Sequence, residues 1–535
     1  MLYTATAART ITWRNRGTDG GDLITAAWTW GIPHPTGYPF YVLLGHILTS
    51  LPFGTPAFRV ELLSIVPAAI ACGLVTSLAL TLTASVGTEG GQTGFGWSLA
   101  LRRAVAAIGA GLCLGCSEVF WMHATVVETY ALNIALVASA LGALLAYVNG
   151  QRGAERYALW QGLALANHLI SISLGAPAGV LLLWHVFRGS LATRRLIWSM
   201  MAALPGLSCY LLLLLRARTY PVANWGVPVT PDRLLAHLSA REYAYFLQPE
   251  SAHAVLVHVL TWPELALTQF GWFGLGLAGV GLTWIAIRKR VAGALLFGLL
   301  GSNIVITALD AAPTTPNYFL VSYLVLALGI GCAFQPCTRL IKHQRVLHPW
   351  LQVTLTWLVA LAPLAVATQL AFHNAPVLNL RSDTIAEEWM HYTLAQAPRR
   401  SLIIVSGDAQ TFTLWYGHDV LGLSPDAIIW SRELALLPWY AELQRRRYPH
   451  LVIPSFVARD EDGRVEEVVR ANLDARPVVT TEEWPVLLQH YQFRQLGNVS
   501  EIRRRSSADV ERRGWDSNPR DLSSTDFPGR RHRPD

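Results

Sequence analysis

Residues 17–39, GTDGGDLITAAWTWGIPHPTGYP, gather the groups able to do acid–base chemistry into one short loop. Asp19 and Asp22 stand three residues apart around Gly20-Gly21, and His34 follows in a His-Pro-Thr-Gly-Tyr-Pro turn ending Tyr38-Pro39. Carboxylates and an imidazole are groups that accept and deliver protons. The glycines permit positive φ or a close backbone approach, while Pro33, Pro35 and Pro39 fix φ and restrict the residue before each. A loop stiffened around acids and a histidine reads as a site. The competing reading is a solvated connector whose aspartates only keep it wet.

The elements that must position this loop are membrane helices. The chain is 52% hydrophobic and only 14% charged over 535 residues, with 20 Trp. Charge this scarce indicates a polytopic membrane protein whose average is diluted by a soluble portion. Stretches that can span follow near 60–84, 103–118, 130–148, 157–174, 176–187, 196–215, 271–287, 291–309, 317–335 and 349–370, with an interfacial helix at 40–52. Arg102-Arg103, Arg152 with Arg156, Arg188 with Arg194-Arg195, Arg288-Lys289-Arg290, and Arg339 with Lys342 and Arg345 fall in alternate loops. By the positive-inside rule these loops are cytoplasmic, which puts the acidic loop and everything after about 371 on the outer face. The net charge of +7 is therefore read as a topology signal, and no nucleic-acid partner is expected. The six cysteines lie in or beside apolar segments and read as small packing residues.

Asp19-Gly20-Gly21-Asp22, an apolar step and His34-Pro35-Thr36-Gly37-Tyr38-Pro39 together resemble the transmembrane protein O-mannosyltransferase family of the GT-C glycosyltransferase superfamily. Further segments carry the resemblance. SEVFWMHATVVETYALN (117–133) is similar to an aromatic stretch ending Glu-x-Tyr-x-Leu-Asn, met here by Glu128, Tyr130 and Asn133. Asn167-His168 interrupts an apolar run, and NWGVPVTPDRLLAHLSAREY resembles a Trp-Gly-x-Pro-x-Thr segment that brings Trp225, Arg233, His237, Arg241 and Tyr243. Each has a plainer reading: an interfacial aromatic belt, a helix–helix hydrogen bond, or a surface lid. The resemblance implies a full membrane helix before the acidic loop; residues 1–13 do not supply one, so the first helix is expected to be truncated.

After about 371 the pattern becomes mixed. A helix is predicted over 382–397, strands at 401–408, 427–430 and 450–456, and a helix at 438–446, as in a small α/β domain. Asp408 ends the first strand, where α/β sheets tend to place ligands, although a turn-stabilising aspartate is the commoner case. The last stretch, rich in Arg, Ser, Asp and Pro, cannot bury a core. The predicted organisation is a mainly α polytopic protein. Residues 1–370 form a GT-C-like transmembrane domain with acidic outer loop 14–39, 371–503 an extracytoplasmic α/β domain, and 504–535 a disordered basic tail.

The resemblance implies transfer of mannose or a similar hexose from a polyprenyl-phosphate donor to a protein Ser/Thr or envelope-glycan hydroxyl. In that reaction Asp19 would be the base and Asp22 its orienter or a substrate ligand. His34, Tyr38, Glu128, Tyr130, Asn133, His168, Trp225, Arg233 and Arg241 would be substrate contacts, with Arg14 and Arg16 as further candidates for the phosphate. The bilayer, the lipid-linked sugar and the acceptor are the expected partners. No resident cofactor or metal ligand is assigned, and a divalent metal is left open. The rival readings are a transporter or flippase using Asp19, Glu128 and His168 as polar groups in the membrane, and a non-catalytic envelope scaffold.

Overall fold

The computed structural model describes residues 1–505 except 85–94, 152–153, 190, 244–250, 310–314, 345 and 456–458. The predicted tail thus lies outside the described residues beyond 505. Among the described residues nine helices are long and apolar enough to cross a membrane. They are Pro56–Thr83, Leu99–Cys116, Tyr130–Val148, Leu169–Phe187, Thr193–Ala217, Ala252–Arg288, Arg290–Ala308, Leu320–His343 and Pro349–Leu378. The chain is a multi-pass membrane protein. Leu320–His343 is the central helix, with 83% of its apolar window buried inside the bundle, whereas Thr193–Ala217 has 22% and faces outward.

Three expectations about this bundle are corrected. The pair 157–174 and 176–187 is a short helix, Ala154–Asn167, followed by a 19-residue span from Leu169. The break falls at His168, whose extended backbone (φ −157°, ψ 130°) and imidazole cap Ile170 N, while Pro177 is carried inside the second helix. Pro177 does not break the helix, because the carbonyl it frees, Ser173 O, accepts from Ser302 Oγ of a neighbouring span. The connection between the spans expected at 196–215 and 271–287, the outer segment by the charge rule, is not all loop, since helix begins at Ala252 and passes a kink at Gly271 (φ 64°) into the next span. The last span also runs past 370 to Leu378.

The C-terminal region holds a five-stranded mixed sheet. Strands β1 (Leu402–Val405), β2 (Ile428–Ser431), β3 (Val478–Thr480), β4 (Tyr491–Leu496) and β5 (Val499–Arg504) lie in the order β2-β1-β3-β5-β4. β1 pairs in parallel with both β2 and β3, in register Ile403 with Ile429 and Val479, while β5 runs antiparallel to β3 and β4. Four apolar residues buried on both faces fit β1 to its interior place between β2 and β3. The strand expected at 450–456 is absent at Leu451–Ser455, and Phe456 is outside the described residues. Asn472 holds Val452 through its own amide at both N–H and C=O, so that backbone needs no ladder. TFTLWY lies in helix Asp408–Trp415, and the β4–β5 hairpin extends order past 503 to Arg504.

This sheet domain is seated on the acidic loop. Gly21 lies so close to it that a Cβ there would stand 2.2 Å from the carbonyl oxygen of Phe412. Trp13 Nε1 donates to Ala409 O and Thr413 Oγ1, and Trp13 packs edge-on against Trp389 at 5.3 Å. Residues Trp225 and Val227 of the outer segment sit within the sheet domain's own apolar core. Gly21→Val should therefore separate the two layers locally. The expected outcome is a loss of about 1–3 kcal/mol, the usual cost of overpacking, read as a lower unfolding temperature in detergent and faster proteolysis after residue 380.

Candidate active site

The acidic loop begins in a short 3-10 turn, Arg14–Asp19, in which Asn15 and Arg16 take left-handed backbone angles (φ 52° and 58°). Arg14 and Asn15 tie it to Val377 O and Leu378 O at the end of the last span. Helix Gly20–Thr29 follows, with Asp22 in its first turn, where a carboxylate meets the helix's free N–H groups favourably. The chain then turns at Trp30 in left-handed geometry, and Ile32 forms a parallel bridge with Asn224 of the outer segment. That bridge delivers His34 back onto Asp22.

Asp22 is 1% exposed. Its Oδ2 accepts from both the backbone N–H and Nδ1 of His34, at 2.8 and 2.7 Å. The other ring nitrogen, Nε2, lies 3.2 Å from Tyr38 Oη, and that hydroxyl donates to Pro35 O at 3.1 Å. With the tyrosine proton committed to Pro35, Nε2 must carry a hydrogen to bond Oη, as Nδ1 must to bond the carboxylate. The hydrogen bonds alone thus describe a doubly protonated imidazolium. Burial would strip the proton, but the bond to Asp22 and the charges of Asp19 and Asp22 outweigh it and lift His34 to about 9. Asp19 stands at the open side, 35% exposed, with Oδ2 at 3.9 Å from His34 Nε2. Burial raises Asp19 above the ordinary carboxylate range, with His34 drawing it back and Asp22 adding to the rise.

Around this core the structure assembles most of the sequence candidates. Glu128 is buried; burial and then Asp19 push its carboxyl well up, against the pull of His34. Tyr38 stacks on His168 at 5.7 Å, and His168 in turn meets Tyr130 at 5.2 Å and Tyr318 at 5.7 Å. Burial, and then the charge of His34, depresses His168 to about 3, so this side is a wall of phenols and a neutral imidazole. Trp225 and Phe412 close the opposite side, each 6.3 Å from the His34 ring. Asp408, expected to end the first strand, instead begins the helix that follows β1, and is raised to about 6 by burial and by Asp19.

Other candidates stand apart. Asn133 accepts from Ser171 at 2.6 Å and Asn167 donates to Thr129 O at 3.1 Å, both joining helices. Arg233 pairs with Glu442 of the sheet domain at 3.0 Å, and Arg241 with Asp232 at 3.7 Å on the surface. The sequence offered no signal for Phe412 or Tyr318; His123, within the aromatic stretch 117–133, lies with its ring 4.6 Å from that of Tyr130 and tilted to it. Among the described residues no three His, Cys, Asp or Glu side chains are grouped to hold a metal.

A multi-helix membrane bundle carrying a small sheet domain over an acid–imidazole cluster is the class that fold and site define. The crystal structure of ArnT from Cupriavidus metallidurans in the apo state superposes with a TM-score of 0.58 at 12% identity, over 94% of this chain and 95% of that one. The same protein bound to undecaprenyl phosphate gives 0.57 at 10% identity, with the same coverage. Residues 19–190 match the model of the family described as Protein O-mannosyl-transferase TMEM260 N-terminal domain. Over 487 residues the chain is 26% identical to Protein O-mannosyl-transferase TMEM260 of Mus musculus, covering 85% of this chain and 64% of that protein. It is 23% identical to the Dictyostelium discoideum protein of that name over 526 residues, covering 86% and 60%. The chain thus spans less than two thirds of the length of these curated relatives. The resemblance read from the acidic loop stands.

The charge on His34 gives a direct test. Its proton affinity in the folded protein exceeds the ordinary value of 6.5, so the stabilisation it brings is complete below about that pH and is lost as pH rises through about 9. Asp22→Asn removes the anion that holds it. The His34 resonance in histidine-labelled protein should then titrate at least about one unit lower. An unchanged titration would show that Asp22 does not control the imidazole.

Proposed function

We propose that this chain is a GT-C-type glycosyltransferase moving mannose or a similar hexose from a polyprenyl-phosphate donor to a hydroxyl of a protein Ser/Thr or an envelope glycan, at the outer face of the membrane. The observation that carries the reading is the arrangement of Asp19: a partly exposed carboxylate of raised proton affinity, beside an imidazolium locked by the buried Asp22. Of the two aspartates, Asp22 has Oδ2 engaged twice by His34 and is enclosed, whereas Asp19 is open to an incoming hydroxyl. Asp19 is therefore the base and Asp22 the orienter. The names of the relatives and the undecaprenyl phosphate of the ArnT crystal support the donor and acceptor classes.

In this reaction the acceptor O–H gives its proton to the Asp19 carboxylate while its oxygen bonds to the anomeric carbon. The bond from that carbon to the donor phosphate breaks, and the electron pair leaves on the phosphate oxygen. His34 contributes a positive charge beside Asp19 that favours the phosphate electrostatically, its two ring N–H groups being held by Asp22 and Tyr38, and Arg16 lies on the same loop. Tyr38, Tyr130 and His168 present uncharged polar rings suited to a neutral sugar. The bilayer holds the lipid tail, and no resident cofactor enters the scheme.

Transfer from polyprenyl-phosphate mannose to a Ser/Thr peptide by purified protein in nanodiscs tests this. Asp19→Asn should lower turnover about 10²–10⁴-fold, the range for losing a general base, with the protein still folded. His34→Gln should raise the donor KM more than it lowers kcat. A fully active Asp19→Asn variant would remove the assignment. Topology is tested separately at Arg399, whose side chain is 92% exposed on the sheet domain. Arg399→Cys should react with an impermeant maleimide in intact cells; labelling only after permeabilisation would place the domain in the cytoplasm.

A further inference from the structure

The two oxygens of Asp22 meet different surroundings. Oδ2 takes both N–H groups of His34, while Oδ1 is buried and has no hydrogen-bond partner in the protein. Beside the Asp22 carboxylate, and not lined by His34, lies a narrow cavity that offers about 20 Å³ to the centre of a water-sized sphere. Asp22, Thr25, Asn224, Tyr440, Gln444 and Arg447 line it. Two more of its atoms are buried without a partner, Asn224 Oδ1 and Gln444 Oε1. The Asn224 amide is already oriented, because its Nδ2 donates to Ala217 O at 3.1 Å.

All three orphaned atoms are acceptors, and one of them belongs to a carboxylate. Arg447 does not answer them by forming an ion pair with Asp22: it is bonded to Asp419, which also takes His418 Nδ1 at 2.5 Å. A water needs about 10–15 Å³ of such space and two to four polar partners. This cavity meets both conditions and has room for one.

We infer that a single ordered water in this cavity donates to Asp22 Oδ1 and to Gln444 Oε1 or Asn224 Oδ1, making Gln444 of the sheet domain a positioning residue for the Asp22–His34 pair. The inference rests on the catalytic reading of that pair and deepens it: the sheet domain completes the hydrogen bonding of a carboxylate in the membrane-side loop. A hydrogen bond to its second oxygen favours the charged form of a carboxylate, and the hydrogen bond and charge of Asp22 favour the proton on His34. The other groups facing the pair are Asp19 on the same loop, Glu128 before helix 130–148, Asp408 after β1, and His237 and Tyr243 of the outer segment. Asp419, His418 and Arg447 stand on the far side of the cavity. These neighbours are unchanged by a substitution at Gln444, so a shift in His34 reports on the cavity.

Gln444→Met keeps the length of the side chain and removes the acceptor. In full-length protein in nanodiscs, with His34 assigned through His34→Gln, the imidazole of Gln444→Met should titrate at least about 0.5 unit below wild type. The high-pH limb of the transfer rate should move down with it. Glu442→Gln, on the same helix but outside the cavity, controls for loosening of the domain and should leave the titration in place. An unmoved His34 in folded Gln444→Met overturns the inference. If that variant does not fold, wild-type density at better than about 2 Å decides it: a peak within hydrogen-bond reach of Asp22 Oδ1 supports the inference, and none overturns it. Should His34 shift while wild-type protein transfers no sugar, the coupling stands and the glycosyltransferase reading falls.

Discussion

The double hydrogen bond from His34 to one oxygen of Asp22 is the constraint on which the site depends. A buried ion pair is tolerated only when its remaining hydrogen bonds are satisfied, because the desolvation of both charges must be offset. Here the backbone N–H enters the bond as well as the ring, so the carboxylate holds the turn and not only a side chain. Pro35 O and Tyr38 Oη then complete the imidazolium's second side. Breaking this pair would leave a buried charge alone, release the His-Pro-Thr-Gly-Tyr-Pro turn, and lose the orientation of helix Pro39–Thr49 that follows it.

The cluster is assembled from distant parts of the chain. The acidic loop brings the charges, the connection before helix 130–148 and the turn at His168 bring the uncharged wall, and the sheet domain brings the cover. Glu242 joins the outer segment to the sheet domain by accepting from the indole N–H groups of both Trp225 and Trp439. Gly21 matters for the same reason: only a residue without Cβ lets the Phe412 backbone approach so closely. Removing water from the carboxylates is what raises Asp19 and Glu128, so the cover that shapes the site also tunes it.

The histidines divide sharply. His34 is held cationic, while burial drives His123 to about 4 and His168 and His237 to about 3. His34 has an ionised carboxylate on its ring, and the others do not; its own charge further depresses His168 and His237. One fixed positive charge among neutral polar rings suits, in the proposed reaction, a substrate carrying one anionic and one uncharged part.

Much of the architecture is legible in the chain. Spanning helices follow from apolar length, because a bilayer imposes a minimum on every crossing. The acidic loop stands out because Gly, Pro, Asp and His are concentrated between runs that contain almost no charge. Strand β1 is visible as a short apolar run closed by Gly407 and Asp408. What the sequence could not decide is anything set by contacts between distant segments. The β4–β5 hairpin alternates too weakly to be read, since only one of its strands is well buried. The helix break at His168 was misplaced because proline is a local signal, whereas its tolerance is decided by neighbouring helices. Which aspartate is enclosed and which is open depends on where Phe412 and Asn224 arrive, some 390 and 200 residues away. Residue types and spacing determined that a carboxylate–histidine site could exist here; only tertiary packing, by controlling access of water to each oxygen, decided which atom does what.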